Sequence, residues 1–215
     1  MGKNVYIVSN YGRQYTSMFT KREWTVVKDM EKADLVQFVG GEDVMPSLYG
    51  HHAHPTTHYN VARDRKEKLI YLLALKNKLP IAGICRGGQF VNVMNGGSMW
   101  QNVGGHCGEH MAFYTDMKMK SAIRVTSTHH QMMIPVNNND DYMLLMVAEE
   151  GGTREKCTPL DAPFRIVTLA GLSGDVEALY YHKTKSLCFQ PHPEFDGEEK
   201  LAGVYFQFID FMFLM

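Results

Sequence analysis

The run Pro80-Ile81-Ala82-Gly83-Ile84-Cys85-Arg86-Gly87-Gly88-Gln89 constrains the fold more than any other part of the chain. An apolar stretch reaches a glycine, a thiol follows two residues later, and a glycine pair opens a helical pattern. Strand, sharp turn and helix in that order make a nucleophile elbow. The turn forces the nucleophile's backbone into a strained conformation, where neighbours bearing a Cβ would collide. The thiol then projects above the sheet at the positive end of a helix, which favours thiolate over thiol.

The remaining chain-wide properties set bounds. A length of 215 residues suits one sizeable domain, read here as 1–215, with a real core. The formal net charge of −1 gives no basic stripe for nucleic acid and no acidic solvating tail. Four cysteines in a chain this long do not make a disulfide framework, and the elbow needs a free thiol. A reducing, cytoplasmic setting is therefore expected. The start, Met1-Gly2-Lys3-Asn4, leads directly into a strand without an apolar signal segment. The stretch Val204 to Met215 is interrupted by Gln207 and Asp210 and is too short to span a bilayer.

Hydrophobic patterning predicts strands at Val5–Val8, Asp34–Val39 and Pro80–Ile84. A short helix and a strand around Trp24–Val27 are expected within residues 11–30. Leu69, Leu72, Leu73 and Leu75 predict an amphipathic helix over Asp64–Asn77, and a second helix covers Gly87–Asn95, ended by Gly96-Gly97. Strands follow at Ile123–Val125, Tyr142–Ala148, Val176–Tyr181 and Ser186–Gln190, and a final helix at Gly197–Phe211. Strand–helix alternation followed by antiparallel-looking strands predicts a three-layer α/β domain.

A cysteine nucleophile needs a base, and the base needs an orienting group. Phe189-Gln190-Pro191-His192-Pro193-Glu194 supplies a candidate pair. His192 and Glu194 are two apart in a proline-stiffened extended segment, so both side chains leave on the same side. For an oxyanion hole, Arg86 offers the N–H after the nucleophile, and Gly40-Gly41 either supplies the second at Gly41 or is a plain tight turn.

These motifs together resemble the class I glutamine amidotransferase superfamily. The segment Gly40-Gly41-Glu42-Asp43-Val44-Met45-Pro46-Ser47-Leu48-Tyr49-Gly50 is similar to the signature of one branch, the γ-glutamyl-γ-aminobutyrate hydrolases among the C26-type cysteine peptidases. Arg63-Asp64, Gly97–Gln101 and Ser127-Thr128-His129-His130-Gln131 match that branch too. The resemblance implies a flavodoxin-like α/β/α fold, its central sheet mostly parallel, with a small antiparallel region. It also implies a Cys85–His192–Glu194 triad, a thioester intermediate and a small-molecule γ-glutamyl amide substrate. Gln89, on the first turn after the elbow, can hold the substrate's α-amino or α-carboxylate group; the alternative is a helix-surface residue. Ser127, His129, His130 and Gln131 are candidates to line the pocket or to be a structural loop. The stretch 9–34 is shorter than in the family pattern, and the segment Glu149–Gly174 is irregular; both are expected near the pocket.

Two histidine groups stand out besides the elbow. His51, His52, His54 and His58 are interrupted by Pro55, and His106, Cys107, Glu109 and His110 follow a glycine pair. The first lacks a cysteine or carboxylate at ligand spacing and Gly104-Gly105 marks a loop before the second, so polar loops are favoured over a bound metal and no cofactor is expected. The function expected is a stand-alone γ-glutamyl hydrolase. The alternatives are a glutaminase subunit passing ammonia to a separate synthetase or ligase, and a catalytically silent binding domain. No membrane or nucleic-acid partner is expected, and the oligomeric state is open.

Overall fold

The computed structural model describes residues 3–8, 12–104, 106–115, 122–148, 152–169 and 174–214; the side chains of Cys107, Ser127 and Leu214 lie outside that description. The first half alternates strand and helix: β1 (Lys3–Val8), α1 (Arg13–Thr20), β2 (Trp24–Val27), β3 (Leu35–Phe38), α2 (Val61–Lys76), β4 (Ile81–Ile84) and α3 (Arg86–Met94). Strands then dominate: β5 (Ser98–Trp100), β6 (Asn102–Val103), β7 (Cys107–Tyr114), β8 (Ala122–Thr128), β9 (Met132–Ile134) and β10 (Tyr142–Ala148). They continue through β11 (Arg154–Cys157), β12 (Ile166–Leu169), β13 (Asp175–Tyr181) and β14 (Ser186–Phe189), and α4 (Glu199–Leu214) follows.

Nine strands form one sheet in the order β2-β1-β3-β4-β14-β13-β10-β7-β8. The first five pair in parallel. The last four continue the same sheet antiparallel. Order β2-β1-β3-β4-β14 is the doubly wound 2-1-3-4-5 arrangement, with β14 in the fifth place. The antiparallel region is thus continuous with the parallel one. Two small antiparallel sheets, β12-β11-β6 and β5-β9, lie outside it.

Helices cover both faces of the parallel half. Tyr15, Met18 and Phe19 of α1 join Leu201, Tyr205 and Ile209 of α4 over Val5, Leu35, Ala82, Ile84 and Phe189. Tyr71 and Ala74 of α2 and Phe90 and Val91 of α3 pack on Val36, Phe38, Ile81 and Cys188 on the other face. Strands enclosed on both sides must be apolar at successive positions, as β4 is; β3 departs from this at the buried Gln37, whose amide donates to Phe38 O at 2.6 Å and accepts from the Tyr205 hydroxyl.

Helix α2 does not bury the leucine face expected for it. Leu69, Leu72 and Leu73 are 64%, 48% and 47% exposed, whereas Asp64, Glu67, Tyr71 and Ala74 are buried. The inward face at spacing 3-4-3 is half charged because it must meet the buried guanidinium of Arg86. Strand β7 occupies a stretch that was expected as a loop, because it pairs with β8 on one side and β10 on the other, with Gly108 inside it at φ +113°.

Candidate active site

Three adjacent parallel strands, β3, β4 and β14, end at one edge of the sheet, and each delivers part of a cleft. Gly40 follows β3, Cys85 follows β4 and His192 follows β14. Carboxyl ends of parallel strands are where doubly wound folds bind ligands.

Cys85 has φ +51° and ψ −119°, a conformation non-glycine residues rarely adopt. It is held there by its N–H donating to Phe189 O at 2.7 Å and its carbonyl accepting from Gln89 N at 3.0 Å. The flanking glycines are required by close backbone approach. A Cβ on Gly83 would lie 2.3 Å from the Gly87 backbone, and one on Gly87 would lie 2.5 Å from the Phe38 carbonyl. Both separations are far inside van der Waals contact, so strand, elbow and helix fit only without those side chains.

His192 is largely buried and faces both neighbours of the expected triad. Its Nδ1 lies 2.7 Å from Glu194 Oε1. Burial works against the charged imidazole, but hydrogen bonds to Cys85 and Glu194 overcome it and raise the His192 pKa to about 10. The ring stacks on Phe195, with centroids 4.4 Å apart and planes 7° apart. A Cβ on Gly40 would stand 3.6 Å from His192 Cε1 and 3.8 Å from Cys85 Cβ, which puts the end of β3 against both groups.

Gly41 has φ +142°, and a Cβ there would fall 1.9 Å from Arg63 Nη1. Arg63 fastens this turn: Nη2 donates to Val39 O at 3.0 Å and Gly40 O at 2.9 Å, and Nε donates to Glu67 Oε1 at 2.8 Å. Arg86 begins α3, where the first N–H groups have no partner within the helix. Its side chain is buried and pairs with Glu67 and Asp64. Asp64 Oδ2 also accepts from Met45 N at 3.1 Å. Burial pushes the Asp64 carboxyl up and pulls Arg86 down to about 10; the ion pair holds both charges against that desolvation. Arg63-Asp64 therefore does more than begin a helix: it ties the Gly40-Gly41 turn to the elbow helix.

The cleft, of about 370 Å³, is lined by Gly41, Cys85, Gln89, His129, His130 and His192 among others. Gln89 is buried, not on a helix surface, and its Nε2 donates to Gln131 O at 3.1 Å and Gln190 Oε1 at 3.2 Å. His130 Nε2 lies 3.3 Å from Asp43 Oδ1, a contact that raises its pKa. His129 is buried, and burial, aided by the surrounding histidines, lowers its pKa well below the ordinary value. Gln131 Nε2 reaches Thr57 Oγ1 at 3.3 Å. Ser127 contributes its backbone to the β7–β8 pairing opposite Gly108; its side chain lies outside the described residues.

Two residues that touch the proposed triad were not singled out from sequence. Thr128 Oγ1 stands 2.9 Å from His192 Nε2. Tyr15 of α1 donates from its hydroxyl to Glu194 Oε1 at 2.8 Å and accepts from Gly40 N at 3.0 Å. Thr128 was visible as part of the motif with Ser127 and His129. Tyr15 had no local signal, although the short 9–34 segment that carries it was expected near the pocket.

The histidines at 51–58 do not converge. His51 Nδ1 is 2.6 Å from Cys157 O, His52 Nε2 is 2.9 Å from Ala162 O, and His54 Nε2 is 3.4 Å from Glu155 Oε2. They fasten their loop to the segment around β11. Cys188, with no exposure in β14, has its thiol pKa pushed well up by burial alone, as befits a core residue.

Solved structures share this fold. A Thermoplasma acidophilum protein assigned as a GMP synthase subunit matches with a TM-score of 0.67 at 15% identity, covering 99% of this chain and 94% of that one. A glutamine amidotransferase from Thermotoga maritima matches with a TM-score of 0.60 at 15% identity, covering 95% and 81%. The fold is that of the class I glutamine amidotransferases. The profile of the peptidase C26 family matches residues 7–194, and the chain belongs to that family. A Schizosaccharomyces pombe protein assigned as glutamine amidotransferase PB2B2.05 is 46% identical over 72 residues, 33% of this chain and 28% of that protein. The match spans less than a third of the length of such curated relatives. No described helix is long and apolar enough to cross a membrane.

Proposed function

We propose that this protein is a cysteine-dependent hydrolase that cleaves the γ-glutamyl amide bond of glutamine-like molecules, γ-glutamyl amines or γ-glutamyl peptides. The observation that carries the reading is Cys85 on a strained elbow, lining one cleft with a His192 whose Nδ1 faces Glu194. Cys85 Sγ forms a bond to the γ-carbonyl carbon, and the carbonyl π electrons move onto oxygen. The N–H groups of Gly41 and Arg86 stabilise that oxyanion. His192 gives its proton to the leaving nitrogen as the C–N bond breaks, leaving a γ-glutamyl thioester and the free amine. Water then attacks the thioester, His192 takes its proton, and the C–S bond breaks to release the γ-carboxyl product and the thiolate. Glu194 keeps the Nδ1 proton in place, so that Nε2 exchanges protons with the reacting groups. Gln89, Ser127, His129, His130 and Gln131 are the proposed binding residues for the γ-glutamyl head. Glu42 and Asp43 line the same cleft and offer negative charge to its α-ammonium group. The chemistry uses no cofactor and is assigned to a single domain working in a reducing, cytoplasmic compartment.

A second reading is a glutaminase subunit that hands ammonia to a separate synthetase or ligase. Leu69, Leu72 and Leu73, spaced to share one face of α2, give it an exposed apolar strip for such a partner. A substrate panel separates the two. Purified protein is assayed with glutamine, γ-glutamyl amines and γ-glutamyl peptides, beside Cys85→Ala. Turnover of γ-glutamyl amines by the protein alone supports the first reading. Glutamine hydrolysis that appears only with an ammonia-using partner supports the second. Unchanged turnover by Cys85→Ala would sink both.

A further inference from the structure

Behind the His129 wall of the cleft lies a second group of side chains that the proposed hydrolysis does not use. His106, His110 and Glu177 each offer one atom within 4.8 Å of the others. His106 Nδ1 lies 3.8 Å from Glu177 Oε1, and His110 Nε2 lies 2.9 Å from the same oxygen. A tetrahedral zinc ion with bonds of about 2.0–2.1 Å sets its ligand atoms roughly 3.3 Å apart, between those two separations. His106, just before β7, and His110 within it share a face by their even spacing, with Gly108 at φ +113° between them and ring centroids 5.0 Å apart; Glu177 arrives from β13, across the sheet.

The surroundings are those of a supported ligand set. The other nitrogen of His106, Nε2, lies 2.5 Å from Asp175 Oδ2, and Asp175 Oδ1 is 2.8 Å from Arg154 Nε. A carboxylate on the far nitrogen fixes the imidazole tautomer and aims the near nitrogen, as is usual for histidines that bind metals. His106, Asp175, Glu177 and Arg154 are all nearly or completely buried. Asp175 and Glu177 against Arg154 leave one formal negative charge in that interior, which a cation held by neutral His106 and His110 would offset. Glu177 Oε2 is buried with no hydrogen-bond partner among the described residues, and a metal ion can engage both oxygens. His110 is partly exposed and gives the ion a way in.

The geometry points to a binding site for a divalent transition ion of the zinc class, held by His106 Nδ1, His110 Nε2 and Glu177, with Asp175 and Arg154 supporting it. This revises the expectation of no metal. The set differs from His106, Cys107, Glu109 and His110, the group visible in sequence, because the carboxylate comes from a distant strand. His106 stacks on His129, with centroids 5.2 Å apart and planes at 29°, so the bound ion braces one wall of the cleft.

The test uses the full chain with Cys85→Ala, which keeps the elbow thiol from competing for metal. The chelator-stripped protein is titrated with Co²⁺ by visible absorption and with Zn²⁺ by calorimetry. Expected are roughly one ion per chain and a Tm rise of about 5–10 °C at a hundredfold excess over Kd. Glu177→Gln and His110→Ala are expected to abolish saturable binding, and Asp175→Asn to weaken it about 10- to 100-fold. Zinc X-ray absorption on the chain without these ligand substitutions is expected to count two imidazoles, a readout that does not depend on any ligand variant folding. Absence of binding overturns the site. So does binding that survives both Glu177→Gln and His110→Ala, or a zinc shell without two imidazoles.

Discussion

The hydroxyl of Tyr15 donates to Oε1 of Glu194 at 2.8 Å, the same oxygen that His192 Nδ1 approaches at 2.7 Å. That hydroxyl also accepts from Gly40 N, so one phenol joins the carboxylate of the proposed triad to the turn of the proposed oxyanion hole. Tyr15 is buried, and desolvation, with the Glu194 carboxylate beside it, pushes its pKa far upward, so the proton stays on the phenol. We therefore treat it as a positioning residue.

Tyr15→Phe removes the bond to Glu194 and leaves Gly40 N without this acceptor. A hydrogen bond to a charged group contributes about 1.5–3 kcal/mol, so kcat is expected to fall at least tenfold. KM should change little, because the phenol does not line the cleft. Steady-state kinetics on a γ-glutamyl anilide checks this. A change confined to KM would remove the positioning role.

Strain at Cys85 predicts a trade of activity for stability. Glycine accepts the +51°, −119° backbone without a Cβ penalty, which for other residues is about 1–3 kcal/mol. Cys85→Gly and Cys85→Ala should both lose activity by roughly 10⁴-fold or more. Cys85→Gly should nevertheless melt about 2–4 °C above Cys85→Ala. Equal melting temperatures would show that the elbow stores no such strain.

The ion pairs under the turn predict a large loss of stability. Glu67 accepts from both Arg63 and Arg86 and is buried. Glu67→Leu strands the Arg86 charge with one remaining partner, and breaking a buried pair from one side costs about 3–5 kcal/mol. Denaturant unfolding should report a loss of that size. Arg63 would also lose the group that aims it at Val39 O and Gly40 O, so kcat should drop in any folded fraction.

His192 predicts the alkaline stability limb. Its native pKa of about 10 lies above the ordinary 6.5, so the native state holds a proton that the unfolded chain releases. The resulting stabilisation is complete below pH 6.5 and is lost as pH rises to about 10. His129 is shifted the other way, chiefly by burial, so its contribution is lost as pH falls through the ordinary 6.5. Melting temperatures from pH 6 to 10.5 should fall at least about 3 °C more in the wild type than in His192→Gln. Parallel curves would assign the raised pKa elsewhere.

Much of this arrangement was legible in the chain because its signals are local. Gly83, Cys85, Gly87 and Gly88 are within six positions, so the pattern is readable there even though Gly87 makes room for Phe38 of β3 and Gly88 for Phe189 of β14. His192 and Glu194 are likewise two residues apart in a stiff extended segment. The leucines of α2 misled because periodicity reports which residues share a face, not which face turns inward. Asp64 and Glu67 turn inward there because Arg86 brings a buried charge that needs carboxylates, and that demand originates on another helix.

The sequence by itself determined the elbow, the His-Pro-Glu segment and the strand–helix alternation, since each is marked by residue types a few positions apart. Only the tertiary structure decided that Tyr15 meets Glu194 across 179 positions, that Thr128 meets His192 across 64, and that Glu177 joins His110 across 67. The physical reason is the order of the sheet. Hydrogen-bonded pairing sets β14 beside β4 and β13 beside β10, and side chains remote in the chain then share one edge or one buried face.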